Sequence, residues 1–263
     1  MSIRKVCHIL STFENMKKLV GNVFRLLWRI WFYVLFGIVI LLGAPILFIV
    51  TAKEKWYTLF FKIAQIWAKI ILIGMGFRVS QKVIEETIPE KSYVFIANHT
   101  SIIDIMLMLA VVKNPFVFVG KSELAKIPVF GYFYKKTCIL VDRADTKSRQ
   151  KVFREAQRRI DTGLSICIFP EGLVPADESI VLYDFKKGAF RLAIKHKLPI
   201  APLVFYDCKK YFSYTFFSGS PGVLRVKKLP IFSTEKLEID AEKELKKEAY
   251  NLIYQELITS EHF

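Results

Sequence analysis

The chain of 263 residues carries 39 Lys and Arg against 24 Asp and Glu, a formal net charge of +15, and 53% of its residues are hydrophobic. That length holds one substantial α/β domain plus a membrane-attachment segment and excludes two ordinary domains beside it. The apolar share is high for a freely soluble protein and low for a polytopic transporter, and the basic excess calls for anionic partners. With no zinc-finger spacing, RNA-recognition signature or basic zipper in the sequence, acidic membrane lipid is preferred over nucleic acid as that partner.

Residues 30–50, IWFYVLFGIVILLGAPILFIV, carry no formal charge over a length that matches the roughly 20 residues a helix needs to cross a bilayer core. After the polar break TAKEK, a second apolar run at 59–77 contains Lys62 and Lys69 and reads as amphipathic, so two helices joined by a short turn are expected. Lys17, Lys18, Arg25 and Arg29 precede the first run and Lys53 and Lys55 follow it, which gives no clean orientation. Two arrangements fit these flanks: a spanning helix, or a re-entrant hairpin bent near Gly43, Ala44 and Pro45. The stretch before the apolar run is too long for a usual cleaved signal, so the segment is expected to stay.

From residue 81 to 91 the sequence is polar and connecting, and then strand-like and helical patterns alternate. Strands are expected at 92–97, 116–120, 138–142, 165–169 and 199–206, and helices at 102–112, 148–162, 187–195 and 241–258, with Gly163 ending the second of these. This alternation predicts an α/β fold, a mixed sheet flanked by helices, behind an N-terminal membrane-embedded helical segment. The boundaries are 1–80 for the attachment helices and 81–263 for the globular domain. Cys7, Cys138, Cys167 and Cys208 lie far apart without metal-ligand spacing and read as free thiols of a cytoplasm-facing domain, with no metal site.

Asn98-His99 follows a strand directly, and Asp104 comes early in the next helix, so both side chains fall at the strand's carboxyl edge, where open α/β sheets place active sites. A carboxylate beside an imidazole fixes its tautomer and stabilises the imidazolium, the arrangement of an oriented general base. The same residues fit a helix capping box, Ser101-Ile-Ile-Asp104, and His99 alone fits a hydrogen-bonded strand-end histidine. Ser101 nearby raises a hydrolase reading, which lacks the GxSxG elbow.

Four ordered blocks extend the pattern: NHTSIID at 98–104; Gly120-Lys121-Ser122-Glu123-Leu124 with Pro128, Gly131 and Val141-Asp142-Arg143; Phe169-Pro170-Glu171-Gly172; and Leu198-Pro199-Ile200-Ala201-Pro202. Together they resemble the glycerolipid acyltransferase superfamily, in particular bacterial-type 1-acyl-glycerol-3-phosphate acyltransferases. The resemblance implies that His99 deprotonates an acceptor hydroxyl and Asp104 orients it. It implies that Lys121, Arg143, Glu171 and Gly172 bind the phosphorylated acceptor, the cations suiting phosphate by charge and geometry. It further implies acyl-CoA or acyl carrier protein as co-substrate with no other cofactor, a lysophospholipid acceptor giving phosphatidic acid, and a place at the cell membrane facing the cytoplasm. The sequence departs from the family where Thr-Arg-Ser commonly follows the third block, since Leu173-Val174-Pro175 stand there. Another lysolipid or an acyl amino-acid lipid is therefore the alternative acceptor, and a non-catalytic basic membrane-binding protein is the alternative class.

Overall fold

The computed structural model describes residues 3–259 other than 143, 144, 176 and 178, with side chains from residue 14 onward except those of 146, 147 and 149. Helix α1 (Ile3–Val50) is continuous through Pro45, and helix α2 (Tyr57–Gly74) follows after a turn at 51–53 and a 3-10 turn, Glu54–Trp56. The reversal thus falls at the polar TAKEK break and not near Gly43, Ala44 and Pro45. Proline removes one donor, whereas ending a helix within an apolar run would leave several backbone groups without partners. Thr51 closes α1 by directing its hydroxyl and its N–H to the Leu47 carbonyl, at 2.7 and 3.0 Å.

The two helices are long and apolar enough to cross a membrane, over Glu14–Val50 and Glu54–Gly74. Each also buries a stripe against the rest of the protein: Phe32 and Ile40 from α1, and Tyr57, Phe61, Ala68, Ile71 and Leu72 from α2. Trp28 and Trp31 of α1 donate their indole N–H groups to the Met75 and Gly74 carbonyls at the end of α2. In the other direction, Gln65 of α2 donates to the Leu109 and Val112 carbonyls, and the Tyr57 hydroxyl reaches those of Phe116 and Thr137.

Among the described residues, seven strands form a single sheet: β1 (Phe77–Val83), β2 (Val94–Ala97), β3 (Phe116–Lys121), β4 (Ile139–Val141), β5 (Ser165–Ile168), β6 (Ile200–Phe205) and β7 (Gly222–Lys228), in the spatial order β1-β7-β6-β2-β5-β3-β4. From β6 to β4 every neighbour is parallel; β7 is antiparallel to β6, and β1 is parallel to β7. The mixed sheet is flanked by helices, as expected, with α2, α5 (Thr146–Ile160), α6 (Gly188–Lys195) and α8 (Glu242–Ile258) packing on it. The remaining helices are α3 (Ile103–Val111), α4 (Phe130–Thr137) and the short α7 (Cys208–Tyr211). Strand β1 crosses the expected boundary between 80 and 81, and β1, β7, α4 and α7 are additions to the elements legible in the sequence.

Central strand β2 is VFIA, buried at every position between β5 and β6, as the apolar composition of a strand covered on both faces requires. Its end is tied to β6 by Asn98, whose amide donates to the Phe205 carbonyl and accepts from the Phe205 N–H, both at 2.8 Å. Asn98 is itself buried, so this one side chain satisfies two interior backbone groups. We predict that Asn98→Ala, which leaves both groups unsatisfied, lowers stability by about 3 kcal/mol. An unchanged thermal midpoint of the purified variant would contradict this.

Candidate active site

Asn98 and His99 leave β2 at the carboxyl edge of the sheet, and Asp104 sits in the first turn of α3. Asp104 is fully buried, and its Oδ2 accepts from three donors: His99 Nδ1 at 2.9 Å, the Thr100 N–H at 2.6 Å and the Ser101 N–H at 2.8 Å. An ionised carboxylate only accepts, so the imidazole hydrogen lies on Nδ1 and Nε2 keeps its lone pair. The His99 ring stacks on Phe169 with centroids 4.2 Å apart and planes 19° from parallel. Its orientation is thereby set from the edge by Asp104 and from the face by Phe169.

Both readings left open by the residues are realised in one group. The bond from Ser101 N–H to Asp104 is the backbone half of a capping box, and the same oxygen orients His99. Ser101 Oγ instead accepts from Ile103 N–H at 3.2 Å and donates to the Phe212 carbonyl at 2.5 Å. That hydroxyl is buried and its hydrogen is committed to a carbonyl, which leaves it unsuited to nucleophilic attack. Cys208 is no better placed as a nucleophile, because burial, and then the Asp104 charge beside it, push its thiol well above the usual range.

The third block is a tight turn in which Gly172 N–H bonds the Phe169 carbonyl at 3.1 Å. Gly172 has φ +73°, the left-handed region that strains other residues, and a Cβ there would also crowd the Lys186 stem at 3.4 Å. The turn directs Glu171 inward to 1% exposure, where Oε1 accepts the His99 N–H at 2.6 Å and Oε2 accepts the Tyr183 N–H at 2.8 Å. Burial pushes Glu171 up to about 7 against the opposing effect of these bonds. Glu171 thus holds the His99 peptide, and Gly172 shapes the turn.

Lys121 ends β3 on the same edge, half exposed, with Nζ 3.4 Å from Glu123 Oε1. Arg143, the other cation expected to bind phosphate, lies outside the described residues. Gly120 lets Tyr134 of α4 pack directly on β3, since a Cβ would fall on the Tyr134 hydroxyl. His99, Lys121 and Glu171 all line one cavity of about 1540 Å³, whose walls are otherwise largely apolar: Phe32, Phe36 and Leu47 of α1, Trp67 of α2, and Phe130 and Phe133 of α4. This exceeds the roughly 300–1,000 Å³ of ordinary small-molecule pockets and suits long aliphatic chains. Leu173, Val174 and Pro175 line it too, together with Lys209, which donates to the Ile180 carbonyl at 3.0 Å. Of the site residues not singled out from sequence, Asn98 and Phe169 stand inside the motif blocks, whereas Tyr183 and Lys209 carried no signal.

Comparison with known proteins agrees with this geometry. The acyltransferase family model matches residues 79–206. The chain is 27% identical over 172 residues to a 1-acyl-sn-glycerol-3-phosphate acyltransferase of Saccharomyces cerevisiae, covering 65% of this chain and 56% of that protein. It is 31% identical to the mouse 1-acyl-sn-glycerol-3-phosphate acyltransferase alpha, covering 63% of this chain and 58% of the relative. The match thus spans little more than half the length of these relatives. The crystal structure of the 1-acyl-sn-glycerophosphate acyltransferase PlsC from Thermotoga maritima has the same fold, with a TM-score of 0.77 at 22% identity over 92% of this chain and 98% of that one. Residues 79–206 thus carry a domain similar to the acyltransferase family.

Proposed function

We propose that the protein transfers an acyl group from a thioester donor, acyl-CoA or acyl carrier protein, to the free hydroxyl of 1-acyl-glycerol 3-phosphate, forming phosphatidic acid. The observation that carries this reading is the Asp104–His99 pair opening on a large apolar cavity at the sheet's carboxyl edge. His99 Nε2 takes the proton of the acceptor hydroxyl as the oxygen attacks the thioester carbonyl. Asp104 stabilises the resulting imidazolium, which returns the proton to the departing thiolate. No acyl-enzyme intermediate is needed. Lys121 and Arg143 are the proposed phosphate ligands, with Lys209 a further cation on the cavity wall.

Helices α1 and α2 hold the protein at the membrane from which the acceptor comes. The basic residues on both flanks of the apolar run support contact with an anionic membrane surface, and the free thiols support a cytoplasmic position for the domain. A second reading keeps the chemistry and replaces the acceptor by another lysolipid or an acyl amino-acid lipid. Leu173, Val174 and Pro175 favour it, because they present apolar surface to the cavity directly beyond Glu171. Mass spectrometry of lipids formed by the purified protein from mixed acceptors and both donor types separates the two readings.

Three variants test the roles of the site residues. His99→Ala is expected to lower turnover by about 10²–10⁴-fold while leaving membrane association unchanged; retained turnover would sink the mechanism. Asp104→Asn is expected to lose stability as well, by about 1–3 kcal/mol, because the same oxygen serves the backbone N–H groups of Thr100 and Ser101. For Glu171→Gln, turnover should fall with little change in the acceptor KM, since an amide places a donor against a backbone N–H; a change confined to KM would make Glu171 a substrate ligand instead.

Glu171 also predicts a pH dependence of stability. Its folded-state pKa is raised, so between the ordinary glutamate range and about 7 the folded protein holds a proton that the unfolded chain has released. Stability contributed by this group therefore falls as pH rises through that window. Glu171→Gln should flatten the slope, as read from denaturation midpoints across pH.

A further inference from the structure

The loop between α7 and β7 is rich in exposed aromatic residues: Tyr214 is 61% exposed, Phe216 55% and Phe217 49%. It lies against the membrane-attachment helix. Arg29, a buried residue of α1, donates to the Ser213 and Thr215 carbonyls at 2.5 and 2.6 Å, and its guanidinium sits 5.1 Å from the Phe212 ring centre and 5.9 Å from that of Phe216. Further along the loop, Gly219 packs beside Trp28 of α1. Tyr33, one helical turn beyond Arg29, is exposed as well and lines the same cavity as Tyr214, so the exposed rings of the loop adjoin an exposed ring of α1.

The loop's polar groups are largely bonded internally. Thr215 N–H donates to Ser213 Oγ, Ser213 Oγ bonds Ser218 Oγ at 2.8 Å, and Ser218 Oγ donates to the Thr215 carbonyl at 2.7 Å. Self-satisfied backbone with outward aromatic rings is what the membrane interface accepts, because unpaired polar groups are costly there and aromatic rings are favoured. Ser213, Tyr214 and Thr215 also line the cavity that holds His99, so the loop borders the site as well as the helix.

We propose that this loop is a third membrane-contact element, with Phe216 and Phe217 entering the interfacial zone of the leaflet that receives α1. The occupant is a lipid surface. The loop's seating on α1 through Arg29, beside the exposed Tyr33, commits it to that partner, and the net charge of +15 favours an anionic one. The contact would fix the tilt of the domain on the bilayer, holding the cavity wall at Tyr214 against lipid. It does not depend on which acceptor is acylated.

The test uses the full chain on vesicles of phosphatidylcholine and phosphatidylglycerol. A Cys7→Ser background is labelled with an environment-sensitive fluorophore through Phe217→Cys, with Leu27→Cys in α1 and Glu248→Cys in α8 as references, and unsubstituted Cys7→Ser giving the labelling blank. The expected result is a blue shift at 217 on vesicle addition and quenching by lipids carrying a nitroxide near the headgroup, as for position 27 and unlike position 248. A label at 217 that stays solvent-like and unquenched overturns the proposal, whatever position 27 reports. A Phe216→Ser/Phe217→Ser double variant should lose acyl transfer to acceptor embedded in vesicles but retain it toward acceptor dispersed in detergent. Equal losses in the two formats would also overturn it, by making the rings structural.

Discussion

One oxygen atom organises the centre of this molecule. Asp104 Oδ2 receives the imidazole of His99 and two successive backbone N–H groups, so the start of α3 and the orientation of the base are a single event. A buried carboxylate is costly unless surrounded by donors, and here the donors are supplied by the turn that the carboxylate itself stabilises. Glu171 acts in the same way from the neighbouring strand, gripping the peptide N–H of His99 while the ring of Phe169 covers the imidazole. The base is therefore held through its ring edge, its ring face and its backbone, by segments that follow two adjacent parallel strands.

That arrangement depends on a sheet stiff enough to hold β2 and β5 in register. β2 is buried on both faces, β5 and β6 flank it, and Asn98 ties its end to β6 at the point where the chain turns into the site. Polar chemistry is confined to this edge. Beyond it the cavity walls come from α1, α2 and α4 and are mostly aromatic or aliphatic. The attachment helices thus serve two environments at once, with one stripe on the domain and the rest outward, where Leu41, Leu42, Ile49 and Ile73 remain exposed.

The elements nearest the chemistry were the most legible in the sequence. β2, β5 and β6 are short apolar runs bounded by turn residues, and the blocks that follow β2 and β5 bring His99, Asp104, Phe169 and Glu171 together. β1 and β7 are not legible because FRVSQKV and GVLRVKK look like polar linkers: Arg78 and Lys82 face outward, whereas Arg225, Lys227 and Lys228 pair with Asp207, Glu256 and Glu86, partners no local pattern encodes. Helix α4, FGYFYKKT, is too short to show a helical period. Glu171 stands inside a motif block, while its partners, the backbone groups of His99 and Tyr183, are brought to it only by the folding together of three separate segments.

The pairing of β1 with β7 has a consequence for the order in which the protein is made. Phe77, directly after the attachment helices, pairs with Gly222, which leaves the ribosome more than half a chain length later. At synthesis rates of about 5–20 residues per second the first strand waits roughly 7–30 seconds for its neighbour. By then α1 and α2 have long been available to lipid. On the proposed membrane reading, the apolar helices are free to meet lipid before the sheet is complete, and its edge closes last.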